Sequence, residues 1–388
     1  MTQENLYLGR EQTEVKHFVL RKYLERFALI VGHFVNSITY VDCFSGPWNV
    51  RSQELKDSSF AIAIEELKKA KTTLAEKGKV LKLRCMFMEK DPKAYAKLKV
   101  FTDQIQDIEI GTKNGELAGS IQDILRFIKH DRWTFPFVFI DPTGWTGFEM
   151  DLIRPLLTLH PGEVLINFMT DYIRRFVEHP DQQTQKSFAD LFGSVAFKVR
   201  IQGLENRQDR EDALLQAYAE NVKKTGGFTH TCAAIVLYPE VDRSYFHLIY
   251  ATRNRKGVEV FKNVEKQAME VMEQSRAEAK QRKRVMKTGQ LELFPAEQMP
   301  HSRPIDELRL RNLRRAEDGL LNLLKTEKSV PYERAWDLAL SLPLVWDSDL
   351  KKWIKQCKTN GLLRIDGMKP NQRVPKLDER NILLWRGA

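Results

Sequence analysis

Residues 135–145, Phe-Pro-Phe-Val-Phe-Ile-Asp-Pro-Thr-Gly-Trp, join a short apolar run to a turn. The run from Phe135 to Ile140 is the clearest buried strand that the sequence predicts, and Asp141-Pro142-Thr143-Gly144 ends it. A continuous apolar run of this length, bounded by turn residues, is typical of a strand that is covered on both faces. Such strands occur mostly in parallel sheets, so helices should alternate with strands along the chain.

The sequence on both sides of this strand shows that alternation. Short β-branched or apolar runs end at turn residues and are followed by segments with apolar residues at helical spacing. The predicted strands are 38–44, 83–88, 107–110, 135–140 and 163–169, and the predicted helices are 15–34, 58–76, 92–104, 119–130 and a segment ending at residue 160. These elements form βαβ units of a mostly parallel sheet.

A different pattern follows a helical stretch over residues 182–223. Two strand-like segments, 228–238 and 244–252, are separated only by a short turn that begins at Pro239. A connection this short requires an antiparallel pair. Parallel strands that end in one antiparallel hairpin describe the Rossmann-like sheet of class I methyltransferases better than a dehydrogenase sheet. The predicted fold class is therefore α/β with such a sheet, occupying residues 1–270.

The C-terminal third has a different composition. We predict a basic helix end and a linker over residues 271–304, because the helical pattern becomes polar and then loses its period. A separate small domain should follow over residues 305–388. Its predicted helices and strands are 305–326, 332–341, 347–359, 362–365 and 381–385. Three helices and a two-stranded wing make a winged-helix-like α+β domain.

Composition excludes several classes of protein. The 388 residues contain no apolar run of about 18 residues, so a membrane-spanning helix is not predicted. No secretory signal is visible, and the expected location is the cytoplasm. The four cysteines are far apart, which argues against a zinc site or a disulfide scaffold and favours reduced, buried thiols; no metal site is predicted. The basic surplus of 62 Lys and Arg over 52 Asp and Glu permits contact with nucleic acid.

Carboxylates follow three of the predicted strands, at Asp42, Glu89 and Asp141. Ligands of open α/β sheets bind outside the carboxyl ends of the strands, so these acids predict a nucleotide-like cofactor, S-adenosylmethionine. Asp42 would hold its amino acid part, Gly46 the backbone turn, Glu89 the ribose hydroxyls and Glu116 the adenine amino group. The alternative for each acid is an ordinary cap or turn residue. NAD is disfavoured because no second glycine follows Gly46.

The segment Asp141–Trp145 suggests the chemistry of an amine. Amino-group methyltransferases have an Asp/Asn-Pro-Pro-aromatic segment after strand 4, whose acid accepts from the target amine and whose aromatic ring stacks on the base. Here Thr143 replaces the second proline and the aromatic residue comes one position late. The alternative is a turn with a packed Trp145. His17, on a leading helix that would cover the pocket, is a candidate base at a near-neutral pKa, or else a partly exposed helix histidine. Asn254 either lines the substrate mouth or is a turn residue.

Several phrases, in this order, resemble the three-Cys-motif partner (TcmP) family of bacterial proteins. They are Lys16-His17 with Leu20 and Tyr23, Tyr40-Val-Asp-Cys-Phe-Ser-Gly-Pro47, Phe139-Ile-Asp-Pro-Thr-Gly144, Leu248-Ile-Tyr-Ala-Thr-Arg-Asn254 with Gly257, Gly289-Gln-Leu-Glu-Leu-Phe294, and Lys369-Pro370. The resemblance implies a methyltransferase-like Rossmann fold, a winged-helix-like C-terminal part, and a partner protein that bears the three-cysteine motif and an iron–sulfur cluster. Relatives usually have glycine where this chain has Trp48, so access to the cofactor site is an open question.

Two further segments suggest partners. Lys351, Lys355 and Lys358 share one helical face and, with Arg373 in the following loop and the basic run 276–287, predict contact with the phosphates of DNA or RNA. A solvated face or a protein docking site are the alternatives. The peptide Gln290–Phe294 resembles a bacterial sliding-clamp binding peptide, or folds back onto the main domain. The sequence thus supports a methyltransferase acting on a nucleic-acid or nucleotide-like amine, or a non-catalytic scaffold of the same fold.

Overall fold

The structure is a computed structural model that describes residues 6–46, 50–52, 54–288 and 303–387. Trp48 and the Gln290–Phe294 peptide lie outside the described residues, so the predictions made for them stay predictions. The elements up to the hairpin are α1 (Glu11–Phe34), β1 (Ser37–Asp42), α2 (Ser59–Glu76), β2 (Lys82–Glu89), α3 (Pro92–Thr102), β3 (Glu109–Asn114), α4 (Ile121–Lys129), β4 (Thr134–Ile140), α5 (Met150–Leu157) and β5 (Glu163–Phe168).

Helices then precede and follow the hairpin. The helices before it are α6 (Thr170–Phe176), α7 (Gln182–Phe192), α8 (Phe197–Ile201) and α9 (Arg207–Gly226). The hairpin consists of β6 (His230–Leu237) and β7 (Ser244–Thr252), and α10 (Arg255–Thr288) follows it. The C-terminal elements are α11 (Arg303–Glu327), β8 (Ser329–Pro331), α12 (Tyr332–Ser341), α13 (Asp347–Thr359), β9 (Leu363–Asp366) and β10 (Ile382–Trp385).

The main sheet has seven strands in the order β3-β2-β1-β4-β5-β7-β6. Strands β1 to β5 are parallel, and β7 is antiparallel to both of its neighbours, β5 and β6. This confirms the predicted Rossmann-like, methyltransferase-like sheet with one antiparallel hairpin strand. Because the chain order reverses between β1 and β4, their carboxyl ends flank the switch point at which ligands of open sheets bind.

Helices cover both faces of the sheet and create two apolar cores. Tyr40 and Val41, adjacent in β1, belong to different cores because successive strand residues point to opposite faces. The first core lies under α1, α2, α3 and α10, and the second under α4, α5, α7 and α9. All four cysteines are buried. Within the described ranges, no helix is long and apolar enough to cross a membrane.

The C-terminal part has the three predicted helices and a small antiparallel sheet in the order β8-β10-β9. Strand β8 has only three residues, too few to show a period in the sequence. This part contacts the main sheet where Nδ1 of His230 on β6 lies 2.8 Å from a carboxylate oxygen of Asp337 on α12. Helix α10 passes through residue 270, where the sequence placed the end of the first domain, and Met272 and Ser275 beyond it are buried.

Candidate functional site

Asp42 ends β1 and is fully buried at the carboxyl edge of the sheet. Its carboxylate accepts a hydrogen bond of 3.1 Å from the backbone N–H of Phe44 and one of 2.7 Å from the hydroxyl of Ser59. Ser59 begins α2, and its neighbour Ser58 caps that helix by accepting from the N–H of Ala61. The turn and the helix start therefore fix the orientation of Asp42.

The electrostatics of Asp42 are unusual for an aspartate. Burial raises its pKa from 3.8 to about 6, and the hydrogen bonds from Ser59 and Phe44 only partly oppose this. The charge of Asp141 raises the pKa further, whereas Lys16 lowers it. Because ionised Asp42 is poorly solvated, the site favours a ligand that brings a positive charge to it.

Glu89 ends β2 and is likewise buried. One of its carboxylate oxygens accepts a hydrogen bond of 2.6 Å from the backbone N–H of Asp91, the residue that caps α3. The loop after β1 is joined to this strand, since the N–H of Ser45 donates to the carbonyl of Met88 at 2.6 Å. Gly46, the next residue, is thereby placed beside the end of β2.

Glu116 follows β3 and is exposed. The preceding Gly115 has φ of 149°, a backbone conformation that side chains rarely adopt, and its N–H donates to the carbonyl of Glu89. The four residues predicted to bind cofactor thus follow the consecutive strands β1, β2 and β3 at one edge of the sheet. Their role as cofactor ligands stays a prediction.

Asp141 follows β4, and both of its carboxylate oxygens have partners. Lys16 on α1 donates to one oxygen at 2.5 Å, and the amide of Asn167 on β5 donates to the other at 2.7 Å. Only 12% of the Asp141 side chain and 14% of the Lys16 side chain are exposed. Helix α1 therefore closes over this edge of the sheet, as the sequence suggested for the leading helix.

Asn167 is a site residue that the sequence argument missed. It is buried, and its side-chain oxygen has no hydrogen-bond partner in the structure. Buried polar atoms are nearly always satisfied, so an orphaned acceptor beside Asp141 points to a missing donor. The available signal was one amide among the apolar residues that follow Glu163 in the predicted strand 163–169.

His17 does not resemble the near-neutral base that the sequence suggested. It is buried, and its Nδ1 lies 3.1 Å from the hydroxyl of Tyr7. Burial first, and then the charge of Lys16, hold its pKa well below 6.5, so the ring is neutral at physiological pH. Successive helix residues are rotated by about 100°, so while Lys16 reaches Asp141, His17 faces Tyr7 instead.

Trp145 is half-buried and packed among aromatic rings. Its indole N–H donates to the hydroxyl of Ser187 at 3.1 Å, and its ring stacks on Phe188 with centroids 5.5 Å apart. The ring centroids of Phe176 and Tyr172 lie 5.0 Å and 6.3 Å from that of Trp145. Trp145 is packed in the turn, as the alternative interpretation described, and its role in stacking on a base stays a prediction.

The predicted basic face of the C-terminal part has unequal members. Lys351 forms an ion pair of 2.5 Å with Asp347, whereas Lys355, Lys358 and Arg373 are exposed. The basic run at the end of α10 is largely neutralised. Arg276 and Lys280 pair with Asp242, Lys283 pairs with Glu240, and Arg282 pairs with Glu11.

Comparison with known proteins adds little to this geometry. No protein-family model matches the chain, and no curated protein matches it. A Legionella pneumophila protein of the DUF519 family model is a structural neighbour at 11% identity and a TM-score of 0.38, covering 66% of this chain and 92% of its own. A loganic acid methyltransferase solved with SAH is another, at 8% identity and a TM-score of 0.28, covering 70% and 88%. The methyltransferase-like fold assigned here rests on the strand order and direction.

Proposed function

We propose that this chain is an S-adenosylmethionine-dependent methyltransferase that acts on an amine of a nucleic acid or a nucleotide-like molecule. The observation that carries the proposal is the position of three acids. Asp42 and Glu89 end β1 and β2, and Asp141 follows β4; these strands are adjacent in the sheet, and its switch point lies between β1 and β4. An open α/β sheet binds nucleotide-like ligands at this place.

The residues present suit the cofactor. Buried Asp42 favours the ammonium group and the sulfonium of S-adenosylmethionine, and a carboxylate such as Glu89 can accept two hydroxyl donors from ribose. Gly46 leaves room for backbone approach, and exposed Glu116 can accept from the adenine amino group. When bound, the cofactor supplies an electrophilic methyl group.

The methyl acceptor would contact the residues around Asp141. The orphaned oxygen of Asn167 is an acceptor for an amine hydrogen, and Lys16 and Asp141 hold it at the carboxyl edge of the sheet. Proximity and orientation supply most of the acceleration in a transfer of this kind, so a rigid acceptor site is sufficient. We assign Trp145 the positioning of the base and leave His17 as a neutral neighbour of Lys16.

The proposal also includes partners of this chain. The resemblance to three-Cys-motif partner proteins suggests an iron–sulfur protein that works with this chain. Exposed Lys355, Lys358 and Arg373 support contact of the C-terminal domain with DNA or RNA. The Gln290–Phe294 peptide suggests a sliding clamp as a further partner.

A second candidate is a non-catalytic scaffold of the same fold. It is favoured by the finding that both oxygens of Asp141 and both oxygens of Asp42 already have donors within the chain. Such a protein would bind nucleic acid and its partner through the same surfaces without transferring a methyl group.

Calorimetric titration with S-adenosylmethionine separates the two candidates. The wild-type protein should bind the cofactor, and Glu89→Ala should weaken binding about ten- to hundredfold, because charge-assisted hydrogen bonds contribute about 1.5–3 kcal/mol. Asp103→Ala, which removes an exposed acid paired with Lys99, is the matched control and should bind like wild type. If the wild-type protein does not bind at millimolar cofactor, the scaffold candidate replaces the enzyme.

A further inference from the structure

Three arginines gather around one buried carboxylate close to the candidate site, and a fourth lies near them. Asp171 on α6 is fully buried and pairs with Arg174 and Arg175 of the same helix, while Arg243 before β7 lies 3.8 Å away. Arg174 also pairs with buried Glu211 on α9 at 2.7 Å. Exposed Arg207, at the start of α9, completes the group, which we call the arginine cluster: Arg174, Arg175, Arg207 and Arg243.

The arginine cluster has more cations than its acids neutralise. Three guanidinium groups share the two carboxylates of Asp171 and Glu211, and Arg207 has no ion pair with any residue that the structure describes. Burial lowers the pKa of Arg207, and the charges of Arg174 and Arg243 lower it further. Like charges held this close are stabilised by an added anion.

Two donors of the cluster are also without acceptors. The Nε–H groups of Arg174 and Arg243 are buried and make no hydrogen bond. The Arg174 side chain is only 8% exposed, so solvent does not compensate for the missing acceptor. A buried donor of a charged group is costly to leave unsatisfied, and an anion whose oxygens reach these Nε–H groups would supply the acceptors.

The cluster adjoins the site through aromatic rings. Helix α6 starts three residues after Asn167, the partner of Asp141, and Tyr172 on α6 lies 6.3 Å from Trp145. Arg175 lies over the ring of Tyr172, with its guanidinium carbon 5.7 Å from the centroid. Arg243 lies in the same way 4.6 Å from the centroid of Tyr238. Interleaved arginines and aromatic rings are typical of surfaces that bind single-stranded nucleic acid.

We propose that the arginine cluster binds a phosphate group of the methyl acceptor whose amine contacts the residues around Asp141. This inference rests on the proposed function for the identity of the acceptor but on the cluster alone for the phosphate. Guanidinium forks match the geometry of phosphate oxygens and stay charged at every physiological pH. The phosphate would be a phosphodiester of a polynucleotide or the terminal phosphate of a mononucleotide.

The test measures binding of a fluorescein-labelled single-stranded oligonucleotide by anisotropy between about 50 and 200 mM salt. Each phosphate contact adds about 0.7 to the slope of log affinity against log salt for single strands. Because the cluster would hold one phosphate, the variant Arg207→Gln/Arg243→Gln should lose about 0.7 from that slope. Arg200→Gln is the matched control and should leave the slope unchanged. It removes a half-exposed arginine of α8 that pairs with Glu220, and Glu220 lies about 20 Å along α9 from Arg207.

Competition identifies the source of the phosphate. One outcome is that adenosine monophosphate displaces the oligonucleotide from wild type but not from the double variant, while adenosine displaces it from neither protein. The cluster then holds a terminal phosphate. If only an unlabelled oligonucleotide competes, it holds the backbone. An unchanged slope in the double variant, or an equal loss in Arg200→Gln, overturns the inference. Arg207→Gln alone, which breaks no ion pair, keeps the test valid if the double variant melts early.

The cofactor titration on the same wild-type sample separates this inference from the proposed function. Cofactor binding with an unchanged salt slope in the variant retains the methyltransferase and removes the phosphate site. A lost slope without cofactor binding retains the phosphate site on a non-catalytic scaffold.

Discussion

Replacing Asp42 with asparagine should make the protein more stable at neutral pH. The carboxylate is fully buried, and its pKa is raised from 3.8 to about 6, chiefly by burial. Asparagine has the same shape and no charge. Its oxygen can still accept from the N–H of Phe44, and the Ser59 hydroxyl can rotate to accept from the new amide.

The magnitude follows from the linkage between protonation and folding. Because the folded pKa is raised, the folded state binds a proton more tightly than the unfolded state, and this stabilising contribution is lost as pH rises through about 6. Each pKa unit corresponds to about 1.4 kcal/mol, so ionised Asp42 destabilises the fold by about 3 kcal/mol at pH 8. About half of that penalty is already present at pH 5.

Urea unfolding of the wild-type protein and Asp42→Asn at several pH values provides the measurement. The free energy of unfolding of the variant should exceed that of wild type by about 1.5 kcal/mol at pH 5 and about 3 kcal/mol at pH 8. Asp103→Asn, at an exposed acid, should show no such trend. A variant that is less stable than wild type at pH 8, or a difference that does not depend on pH, would refute the reasoning. Asp42→Asn should also bind S-adenosylmethionine more weakly. A buried carboxylate that destabilises the fold is expected to be kept because it serves function.

Two further predictions concern buried groups elsewhere. His247 is buried, and burial is the chief cause that lowers its pKa to about 4, so the free energy of unfolding should fall as pH drops from about 6.5 to 4. In urea unfolding, His247→Gln should remove about 3 kcal/mol of that loss. If the variant loses as much stability as wild type over this pH range, the assignment is contradicted. Gly257→Ala would bring a methyl group to 2.2 Å from the hydroxyl of Tyr250 and should lower the free energy of unfolding by about 1–3 kcal/mol. Gly119→Ala, whose new methyl group would have no atom closer than 3.9 Å, serves as control. Equal stability of the two variants would show that the close contact at Gly257 relaxes freely.

The sequence predicted the main sheet because its strands are buried apolar runs that end at turn residues. The same reasoning placed Asp42, Glu89 and Asp141 at one edge, since parallel strands deliver their following residues to the same side. It treated 182–223 as one helical stretch, whereas the structure has α7, α8 and α9 there, with Gly193 and Gly203 at positive φ between them. Glycine in that conformation ends a helix, and helical periodicity alone does not show it.

Contacts between distant parts of the chain were beyond sequence reasoning. Lys16 and Asn167 reach Asp141 across 125 and 26 positions, and no local spacing indicates such a pair. Asn254, suggested for the substrate mouth, follows β7, which is antiparallel to β5. It therefore lies where the parallel strands begin, away from Asp42 and Asp141, and it lines a small cavity together with Glu163.

The basic run at the end of α10 was interpreted from charge alone. Its acid partners come from the turn between β6 and β7 and from α1, which the spacing of basic residues does not reveal. Arg276 is buried and pairs with Asp242. A chain that ended at residue 270 would also remove buried Met272 from the first core. Such a truncation therefore tests folding as well as nucleic-acid binding.

The partners of α1 have a consequence for how the protein is made. Lys16 needs Asp141, Tyr23 donates to Glu163 at 2.7 Å, and Glu14 accepts from Ser275 at 2.6 Å. Helix α1 therefore waits for residues that are synthesised much later. At about 5–20 residues per second, the interval between Phe34 and Ser275 is roughly 12–50 s. Until its sheet and α10 have been synthesised, the apolar stripe of α1 lacks its full cover, and we expect it to be a binding site for general chaperones on the nascent chain.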